Sequence, residues 1–409
     1  MNIIYINHYA GSIYHGMEFR TYYLAREWVK QGHTVTVVAS NFSHLRQKNV
    51  SIPDGSNYFE EIIDGINYIW CKTSPYKVNG LKRVYNIYQF LSRVNKLIPQ
   101  LLLLNPDIVI ASSTYPFDTK VANRIAKKSG AKFIYEVHDL WPLTPIELGG
   151  MSKYHPFIWL MQRAEDFAYK NAGKVVSLLP CASDYMQEHG MTANKFVYIP
   201  NGVVVTDWEQ NKAALPEAHI VQIKQIKSTF NFLVGYAGGM GESNALEYIV
   251  PVAKAVTDVA FVLVGDGASK ESLITETVKQ NLSNVFFLPR ILKSQIPAFL
   301  EQMDVLYIGW HKLSIYRFGI CPNKLFDYML AKKPIIHSVT AGNDLVAEAN
   351  CGISVGATEV NNIIEAVNKL KTMPIDELQQ MGENGYNFVI KHHDYPLLAN
   401  KFIKCISTY

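Results

Sequence analysis

Residues 316–336 read YRFGICPNKLFDYMLAKKPII, and this stretch decides the fold of the second half of the chain. After Pro322-Asn323 the apolar residues recur at helical spacing, and the pattern stops before Lys332-Lys333-Pro334. A proline suits the first position of a helix, where its missing N–H would have no partner in any case. The stretch therefore predicts a helix that opens at Pro322, followed by a buried strand from Ile335.

Two charged residues of this helix indicate a ligand. A helix start with unpaired N–H groups and a lysine, here Lys324, favours an anion such as a diphosphate. Asp327 lies roughly 5 Å further along the helix axis, about the separation between the diphosphate and the ribose of a nucleotide. Its carboxylate could accept hydrogen bonds from both ribose hydroxyls. The alternative is an ordinary amphipathic helix with a weak surface ion pair, and this stretch alone leaves both open.

Composition limits the class of protein. At 409 residues the chain suits two domains. Apolar residues make up 48%, aromatic residues 12% and charged residues only 18%, which is typical of proteins that handle sugars or lipid interfaces. Five scattered cysteines and no secretion signal favour a cytoplasmic protein with reduced thiols. With no DxD, HxxxH or HExxH pattern, we expect no bound metal and no cofactor.

The first half of the chain begins as a parallel sheet. A strand at 2–6, a glycine-containing loop, a helix from Glu18 and a strand at 34–39 form a right-handed βαβ unit. Ligands of such sheets sit beyond the carboxyl ends of the strands. His138 and Asp139 directly follow the apolar strand 133–137, and so they should lie at that edge.

The second half repeats this architecture. Strands are expected at 232–237, 260–264, 285–288, 305–308 and 334–337, with glycine loops at 238–241 and 265–267. A helix from Asn244 to Val256 should follow the first of these loops. Both loops lack the third glycine of GxGxxG, which argues against NAD. We expect domains at 1–202 and 203–385, and a C-terminal helix at 386–409 that packs back on the first domain.

Positive charge is concentrated in residues 65–132, which hold 11 Lys+Arg against 2 Asp+Glu. Residues 76–104 combine Lys77, Lys82, Arg83, Arg93 and Lys96 with Tyr85, Ile87, Phe90, Leu91, Val94 and Leu97. Such a helix either contacts the anionic inner face of the cytoplasmic membrane or is the solvated side of a core helix. We do not expect nucleic acid as a partner, because the whole chain carries a net charge of only +4.

Six motifs along the chain resemble one enzyme family. In order they are GMEFRTYYLAREWVKQGHTVTVV, HDLWP, IPNGV, FVLVGDG, NVFFLP and PNKLFDYMLAKKPII. Together they resemble family 4 glycosyltransferases, and most of all bacterial N-acetyl-L-fucosamine transferases of surface-polysaccharide assembly. The resemblance implies an α/β fold of the GT-B type. In that fold two Rossmann-like, doubly wound parallel-sheet domains face a central cleft, and a C-terminal helix crosses back to the first.

The same resemblance implies a function. A retaining, metal-independent transferase would move a sugar, such as an N-acetylated deoxyhexosamine, from a nucleotide-sugar, expected to be UDP-linked. The acceptor would be a saccharide or a polyprenyl-diphosphate-linked saccharide in the biosynthesis of O-antigen, capsule or exopolysaccharide, at the inner face of the cytoplasmic membrane.

The resemblance also implies roles for individual residues. The donor-binding residues would be Gly16, Gly238, Gly239, Gly241, Leu288, Asn323, Lys324, Leu325 and Asp327. His138, Lys324 and Arg290 would act in catalysis, and Glu18 and Asp139 would contact the acceptor. Arg317 or Arg290 would supply further positive charge.

Several positions depart from the family pattern. Gly319 replaces an acidic residue that contacts the sugar, Asp327 stands where glutamate is usual, Cys321 is a poorer helix cap than serine, and Lys332 replaces a glycine. Two alternatives therefore stay open. One is a nucleotide-sugar 2-epimerase of related fold, and the other is a nucleotide-sugar-binding protein without turnover.

Overall fold

The computed structural model describes residues 1–16, 19–77 and 80–407. The chain divides into two compact units. The first unit comprises Met1–Asn201 together with Tyr395–Tyr409, and the second comprises Gly202–Asp394. The first division falls at the Pro200-Asn201-Gly202 turn, and the second falls between the last two long helices. Among the described residues, no helix combines the length and the apolar character that crossing a membrane requires.

The first unit is built on a sheet in the order β3-β4-β2-β1-β5-β6-β7-β8. All neighbouring strands pair in parallel except β3, which runs antiparallel to β4 at the edge of the sheet. The central strands are buried on both faces, which explains their continuous apolar runs. The strands are β1 Asn2–Ile6, β2 Thr34–Ser40, β3 Tyr58–Ile63, β4 Ile66–Cys71, β5 Ile108–Ala111, β6 Lys132–Val137, β7 Lys174–Ser177 and β8 Phe196–Tyr198.

Helices lie in most of the connections between these strands, as expected for crossovers between parallel strands. They are α1 Phe19–Lys30, α2 Leu81–Lys96, α3 Ile98–Leu103, α4 Thr119–Ser129, α5 Leu143–Glu147, α6 Pro156–Asn171 and α7 Ser183–Glu188. Short 3₁₀ helices lie at Pro116–Asp118 and Ala193–Lys195.

The second unit has a sheet in the order β11-β10-β9-β12-β13-β14, parallel throughout. Apolar clusters fill both of its faces. Its strands are β9 Leu233–Ala237, β10 Ala260–Val264, β11 Val285–Leu288, β12 Val305–Gly309, β13 Ile335–Ser338 and β14 Gly352–Val355. The strand order reverses between β9 and β12, and such a switch point is where open α/β sheets bind their ligands.

The helices of the second unit include the one that the opening stretch predicts, now α13. They are α8 Val205–Gln210, α9 Glu217–Thr229, α10 Ile249–Ala255, α11 Lys270–Lys279, α12 Ile296–Leu300, α13 Asn323–Leu330, α14 Leu345–Ala349, α15 Val360–Thr372 and α16 Ile375–His392, with 3₁₀ helices at Glu242–Asn244, Leu246–Tyr248, Lys293–Gln295 and Ser314–Phe318. Pro322 proves to be the residue before the first helical position rather than the first itself.

The last helix belongs to the first unit. It runs over α17 Tyr395–Ser407 and packs against α1. The indole N–H of Trp28 donates to the Ala399 carbonyl at 3.2 Å, and the Phe402 ring packs on Trp28 at 5.1 Å. The last helix of the first unit thus covers Tyr395–Ser407, whereas the sequence predicts one over 386–409; residues up to His392 belong to α16 of the second unit.

Three elements differ from the prediction. β3 and β14 were not expected, because both are edge strands whose partly exposed residues give a weak pattern. The helix expected from Asn244 to Val256 is broken into short pieces. Ala245 adopts a left-handed conformation with φ of 47°, and the regular helix starts only at Ile249.

Candidate functional site

The start of α13 presents unpaired backbone donors in the second unit. Leu325 and Phe326 are fully buried and fix the helix in the core. The N–H of Leu325 donates to the Pro322 carbonyl at 3.1 Å. Within the described ranges, the N–H groups of Asn323 and Lys324 have no protein acceptor. Because no side chain caps this helix, its first turn can bind an anion.

Lys324 points from this first turn toward the end of β9. Its Nζ donates to the Tyr236 hydroxyl at 2.6 Å and to the Asn244 side-chain carbonyl, and it lies 4.5 Å from the centre of the Tyr236 ring. Burial lowers the pKa of Lys324 to about 7. The groups around the lysine are neutral, so an anion placed here would interact with a cation that has no carboxylate partner.

The glycine loop after β9 lies next to Lys324. Gly238 has φ of 152°, and a Cβ built on it would come within 3.2 Å of the Lys324 Nζ. Gly265 and Gly267 of the second loop pack on this one. A Cβ on Gly265 would meet the Gly238 carbonyl at 1.9 Å, and one on Gly267 would meet the Met240 carbonyl at 2.5 Å. The packing of the two loops on each other therefore requires glycine at 265 and 267.

Gly239 and Gly241, unlike Gly265 and Gly267, have open space around them. A Cβ on Gly239 would meet no atom within 4 Å, and one on Gly241 would only approach the Asn244 side chain at 3.9 Å. The fold does not need glycine at either position. A ligand that approaches the loop backbone closely would explain both residues.

Asp327 lies one turn after Lys324 and is half-buried. Among the described residues its carboxylate accepts no hydrogen bond. Burial raises its pKa to about 6, against a smaller opposing effect of Lys293. A partly buried carboxylate that accepts no hydrogen bond destabilises the fold unless a ligand donates to it. The two neighbouring hydroxyls of a ribose could donate these hydrogen bonds.

The loop before α13 is held in place by Asn343. Its side-chain oxygen accepts from the Ile320 N–H at 2.7 Å, and its NH₂ donates to the Ile320 carbonyl at 3.1 Å. Gly319, with φ of 103°, occupies a conformation that an acidic side chain would adopt only with strain. The departure from the family pattern at this position therefore has a physical reason in this chain.

The remaining residues that were predicted to bind the donor differ in exposure. Leu288 ends β11 with its side chain in the core, and so only its backbone could reach a ligand. Leu325 is likewise buried, whereas Asn323 is exposed. Arg290 is exposed two residues after β11. Arg317 is exposed, donates to Ser314 and packs on the Phe318 ring.

In the first unit, His138 is held by a buried polar network. Its Nε2 lies 3.2 Å from Glu136 Oε2 and 2.9 Å from the Ser112 hydroxyl. Glu136 is fully buried, forms an ion pair with Arg20 at 3.0 Å, and also accepts from the Tyr5 hydroxyl. Burial opposes the Glu136 charge, but the Arg20 guanidinium and the other donors keep the pKa of this carboxyl well below its usual range. A proton on Nε2 facing this carboxylate leaves Nδ1 for a ligand.

The other residues predicted to bind ligands in the first unit lie in two loops, one after β1 and one after β6. Asp139 is exposed beside His138. Gly16 has φ of 68°, and its N–H donates to the Ser12 carbonyl at 3.1 Å. Glu18 lies outside the described residues. None of these roles is tested by the geometry, and they stay predictions.

Among the described residues, Glu165, Asp166 and His189 form a group with ligand atoms close enough to share a metal ion. Glu165 is fully buried, accepts from the Tyr169 and Tyr185 hydroxyls at 3.0 Å each, and has its pKa raised by burial to about 8. A carboxyl that holds its proton at neutral pH is a poor metal ligand.

Sequence reasoning missed the residues that position the predicted ones. Tyr236 and Asn244 orient Lys324, Tyr328 ties α13 to the end of β9 through the Ala237 N–H at 2.8 Å, and Glu136 holds His138. Glu136 lies inside the apolar strand FIYEV, and a buried carboxylate needs a hydrogen-bonding or charged partner. This position could have indicated the polar network around His138.

Comparisons with known proteins agree with this arrangement. Residues 14–207 match the family described as Glycosyltransferase Family 4, and residues 231–373 match the family described as Glycosyl transferases group 1. The protein named glycosyltransferase WbjE of Pseudomonas aeruginosa is 23% identical over 222 residues, 53% of each chain. TuaH of Bacillus subtilis, named as a teichuronic acid biosynthesis glycosyltransferase, is 26% identical over 163 residues, 39% of each chain. The chain spans about half the length or less of these curated relatives.

Solved structures resemble the chain over its full length. Sucrose-phosphate synthase from Thermosynechococcus elongatus is 14% identical, with a TM-score of 0.71 over 100% of this chain and 98% of that one. HepE of Anabaena, solved in complex with UDP and glucose, is 14% identical, with a TM-score of 0.67 over 100% and 99%. Identities this low establish the fold alone, and that fold is GT-B. Residues 14–207 are thus similar to Glycosyltransferase Family 4 and residues 231–373 to Glycosyl transferases group 1, within a chain that has the GT-B fold.

Proposed function

We propose that the protein is a retaining, metal-independent glycosyltransferase that takes a sugar from a nucleotide-sugar, UDP-linked, bound by the second unit. The observation that carries the proposal is the position of Lys324, which lies in the first turn of α13 next to the glycine loop after β9. One turn later, the Asp327 carboxylate accepts no hydrogen bond among the described residues. This arrangement offers separate partners for a diphosphate and a ribose. HepE, solved in complex with UDP and glucose, supports a UDP-linked donor in this fold.

The leaving group of such a reaction is a nucleoside diphosphate, so catalysis must stabilise the negative charge that grows on its phosphate. The N–H groups of Asn323 and Lys324 and the Lys324 ammonium are donors already fixed in place by the fold. Arg290 and Arg317, both exposed, are the candidates for further charge. In the mechanism we favour, the acceptor attacks the face from which the phosphate leaves, and the departing oxygen takes the acceptor proton. This path retains the configuration and requires no enzymic nucleophile.

The first unit is proposed to bind the acceptor, a saccharide or a polyprenyl-diphosphate-linked saccharide. The Nδ1 of His138 can hydrogen-bond a sugar hydroxyl, since the contacts with Glu136 and Ser112 engage only Nε2. Asp139 is exposed beside it. The name of TuaH, a teichuronic acid biosynthesis glycosyltransferase, supports a role in polysaccharide assembly. We place this role at the inner face of the cytoplasmic membrane, with an N-acetylated deoxyhexosamine as the transferred sugar.

The test is product analysis with a panel of UDP-, GDP- and dTDP-sugars, each incubated with the protein and a bacterial membrane extract. We expect one UDP-sugar to be consumed and its sugar to appear in the lipid fraction with unchanged anomeric configuration. A chelator should leave the rate unchanged. Lys324→Ala should lower the rate by at least about 100-fold, the usual loss when one preorganised donor is removed.

Three results would overturn the proposal in different ways. Rapid formation of an epimer from a nucleotide-sugar without acceptor would identify a 2-epimerase. Calorimetric donor binding with no transfer to any extract would identify a binding protein. Full activity of Lys324→Ala would show that the diphosphate is bound elsewhere.

A further inference from the structure

The loop that follows β11 lies at the same edge of the second sheet as the two glycine loops. Strand β11 ends at Leu288, and the chain continues through Pro289 and Arg290 to the 3₁₀ helix Lys293–Gln295. Strands β9, β10 and β11 are neighbours and run in parallel, so the loops at their carboxyl ends lie side by side. We call residues 289–295 the β11 loop.

The β11 loop is also a neighbour of Asp327. Burial raises the pKa of Asp327 to about 6, and the Lys293 ammonium of the β11 loop acts against this rise. Ile291, in the middle of the loop, is buried in the same apolar cluster as Phe326 of α13. A ribose held by Asp327 would therefore have the β11 loop beside it, on the path of the base that the ribose carries.

Arg290 offers main-chain groups in this loop. It is exposed, and in the part of the chain that the structure describes, neither its N–H nor its carbonyl forms a hydrogen bond with another residue. A uracil ring has an N–H beside carbonyl oxygens, and so it needs one acceptor and one donor. The main chain of Arg290 supplies one of each, provided that the loop holds them in place.

The chain before and within α9 holds the β11 loop at both ends. At its start, the His219 ring lies with Nε2 2.9 Å from the Pro289 carbonyl oxygen. At its end, the Ala213 N–H donates to the Ser294 carbonyl at 2.8 Å. The Gln295 side chain donates to the Ala214 carbonyl at 3.0 Å and accepts from the N–H of Leu292 at 2.9 Å. Arg290 thus lies between two fixed points.

His219 has one evident task. It is 4% exposed, and because a carbonyl only accepts, Nε2 must carry the proton of the ring. Its Nδ1 is buried, and among the described residues it has no partner, so a second proton there would be an unpaired buried charge. Proline has no N–H, and the Pro289 carbonyl is therefore the one main-chain group of that residue that a side chain can hold by a hydrogen bond.

We propose that His219 is a positioning residue for the base of the nucleotide-sugar. By holding the Pro289 carbonyl, it fixes the Arg290 N–H and carbonyl that bind the base, while Lys324 and the start of α13 bind the diphosphate. The inference rests on the proposed function, which supplies the nucleotide. It deepens that function by assigning the base and the diphosphate to elements that can be changed separately.

The experiment compares two ligands by calorimetry. UDP reaches both ends of the donor site, whereas inorganic pyrophosphate reaches only the diphosphate end. His219→Ala should weaken UDP binding by about fivefold or more, the usual effect of one lost hydrogen bond, and should change pyrophosphate binding by less than about twofold. His219→Gln places an N–H the same number of bonds from the main chain as Nε2, and it should restore UDP binding.

A matched control lies at the other end of the same strand. The Asn284 side chain, 2% exposed just before β11, donates to the carbonyls of Ala253 and Val256 at 3.0 Å each and of Val259 at 2.9 Å. Asn284→Ala should lower the melting temperature at least as much as His219→Ala, yet leave the ratio of UDP affinity to pyrophosphate affinity unchanged. If His219→Ala does not fold, Gln295→Ala releases the other end of the β11 loop and should lower that ratio instead.

Three results would overturn the role of His219. They are unchanged UDP affinity in His219→Ala, an equal loss of UDP and pyrophosphate affinity in that variant, and an equally changed ratio in Asn284→Ala. Pyrophosphate binding as tight as UDP binding to the unmodified chain would also exclude it, because the base would then contribute nothing.

Lys324→Met separates this inference from the proposed function. The variant should weaken both ligands by a similar factor. If it weakens neither, the donor site at the start of α13 is wrong, and the role of His219 falls with it. If it weakens both while His219→Ala binds UDP normally, the donor site stands and only the role of His219 is refuted.

Discussion

Lys324 and Asp327 carry charges that the unliganded second unit does little to stabilise. Burial lowers the pKa of Lys324 to about 7 and raises that of Asp327 to about 6. Lys324 binds protons less tightly in the folded chain than in the unfolded one, so its contribution to stability rises with pH above about 7. Asp327 binds its proton more tightly in the folded chain, so its contribution to stability falls as the pH rises from about 4 to about 6. A bound nucleotide would supply the missing partners.

This environment predicts the pH dependence of UDP binding. A diphosphate favours the charged form of Lys324, and so binding at pH 8 should take up a proton. Affinity should fall by about tenfold per pH unit above pH 7, until the pKa of the complex is reached. Calorimetry in two buffers of different ionisation enthalpy measures the proton uptake. In Lys324→Met both the uptake and this slope should disappear, and a slope that persists would contradict the assignment.

The buried pair Arg20–Glu136 predicts a stability effect in the first unit. Glu136→Gln leaves the Arg20 guanidinium without its carboxylate and should cost about 3–5 kcal/mol of unfolding free energy at pH 7. Because the folded pKa of Glu136 is depressed, its contribution is complete above pH 5 and is lost as the pH falls below about 4. Denaturant unfolding at pH 7 and pH 4 should show a smaller difference at the lower pH.

A surface pair provides the control for this measurement. Glu301→Gln breaks its contact with Lys212, where both side chains are more than 40% exposed, and should change stability by less than about 1 kcal/mol. Equal costs for the two variants would show that the Arg20–Glu136 pair is no stronger than an exposed one.

Among the elements, the glycines of the two loops have different roles: Gly265 is required by the packing of the loops, whereas Gly239 is not. Gly239→Ala should leave the melting temperature unchanged, because its Cβ has open space, yet weaken UDP binding about tenfold or more if a phosphate approaches the loop. Gly265→Ala should destabilise the unit by about 2 kcal/mol or more, because its Cβ would lie 1.9 Å from the Gly238 carbonyl and its φ of 148° disfavours alanine.

Thermal melting and UDP calorimetry on the two variants decide this prediction. If Gly239→Ala binds UDP normally, the loop backbone does not approach the ligand. If Gly265→Ala is as stable as the unmodified chain, the two loops do not constrain each other as described.

Most elements could be predicted because their residues follow one periodicity from end to end. α13 is an example, with Leu325, Phe326, Met329 and Leu330 all buried as the spacing requires. β3 and β14 were missed because an edge strand buries only part of its surface, and neighbouring strands rather than the local pattern decide its existence. The break at Ala245 was missed because alanine favours helices, and only the packing of the loops places it in a left-handed conformation.

The site residues were predicted only in part for a similar reason. Lys324 and Asp327 stand out in the sequence because they lie on one face of a helix start. Tyr236, Asn244 and Asn343, which fix that helix start and its loop, are distant along the chain and have no local signature. Their roles depend on tertiary contacts, which a single sequence does not display.

Across the whole molecule, the two units carry different candidate sites. The first carries the His138–Glu136 network. The second carries the candidate anion site at the start of α13. This division agrees with the proposed function, in which one unit binds the acceptor and the other binds the nucleotide-sugar.

A donor site at the start of α13 can be tested by the affinity of UDP for three proteins. These are the unmodified chain, Lys324→Met and Lys254→Met, a matched change of an exposed lysine on α10. Removing a charged hydrogen-bond donor from a diphosphate should cost about 2–3 kcal/mol, or roughly 30-fold to 150-fold in affinity. We expect that loss for Lys324→Met and none for Lys254→Met. Equal affinities of all three proteins would contradict a donor site at the start of α13.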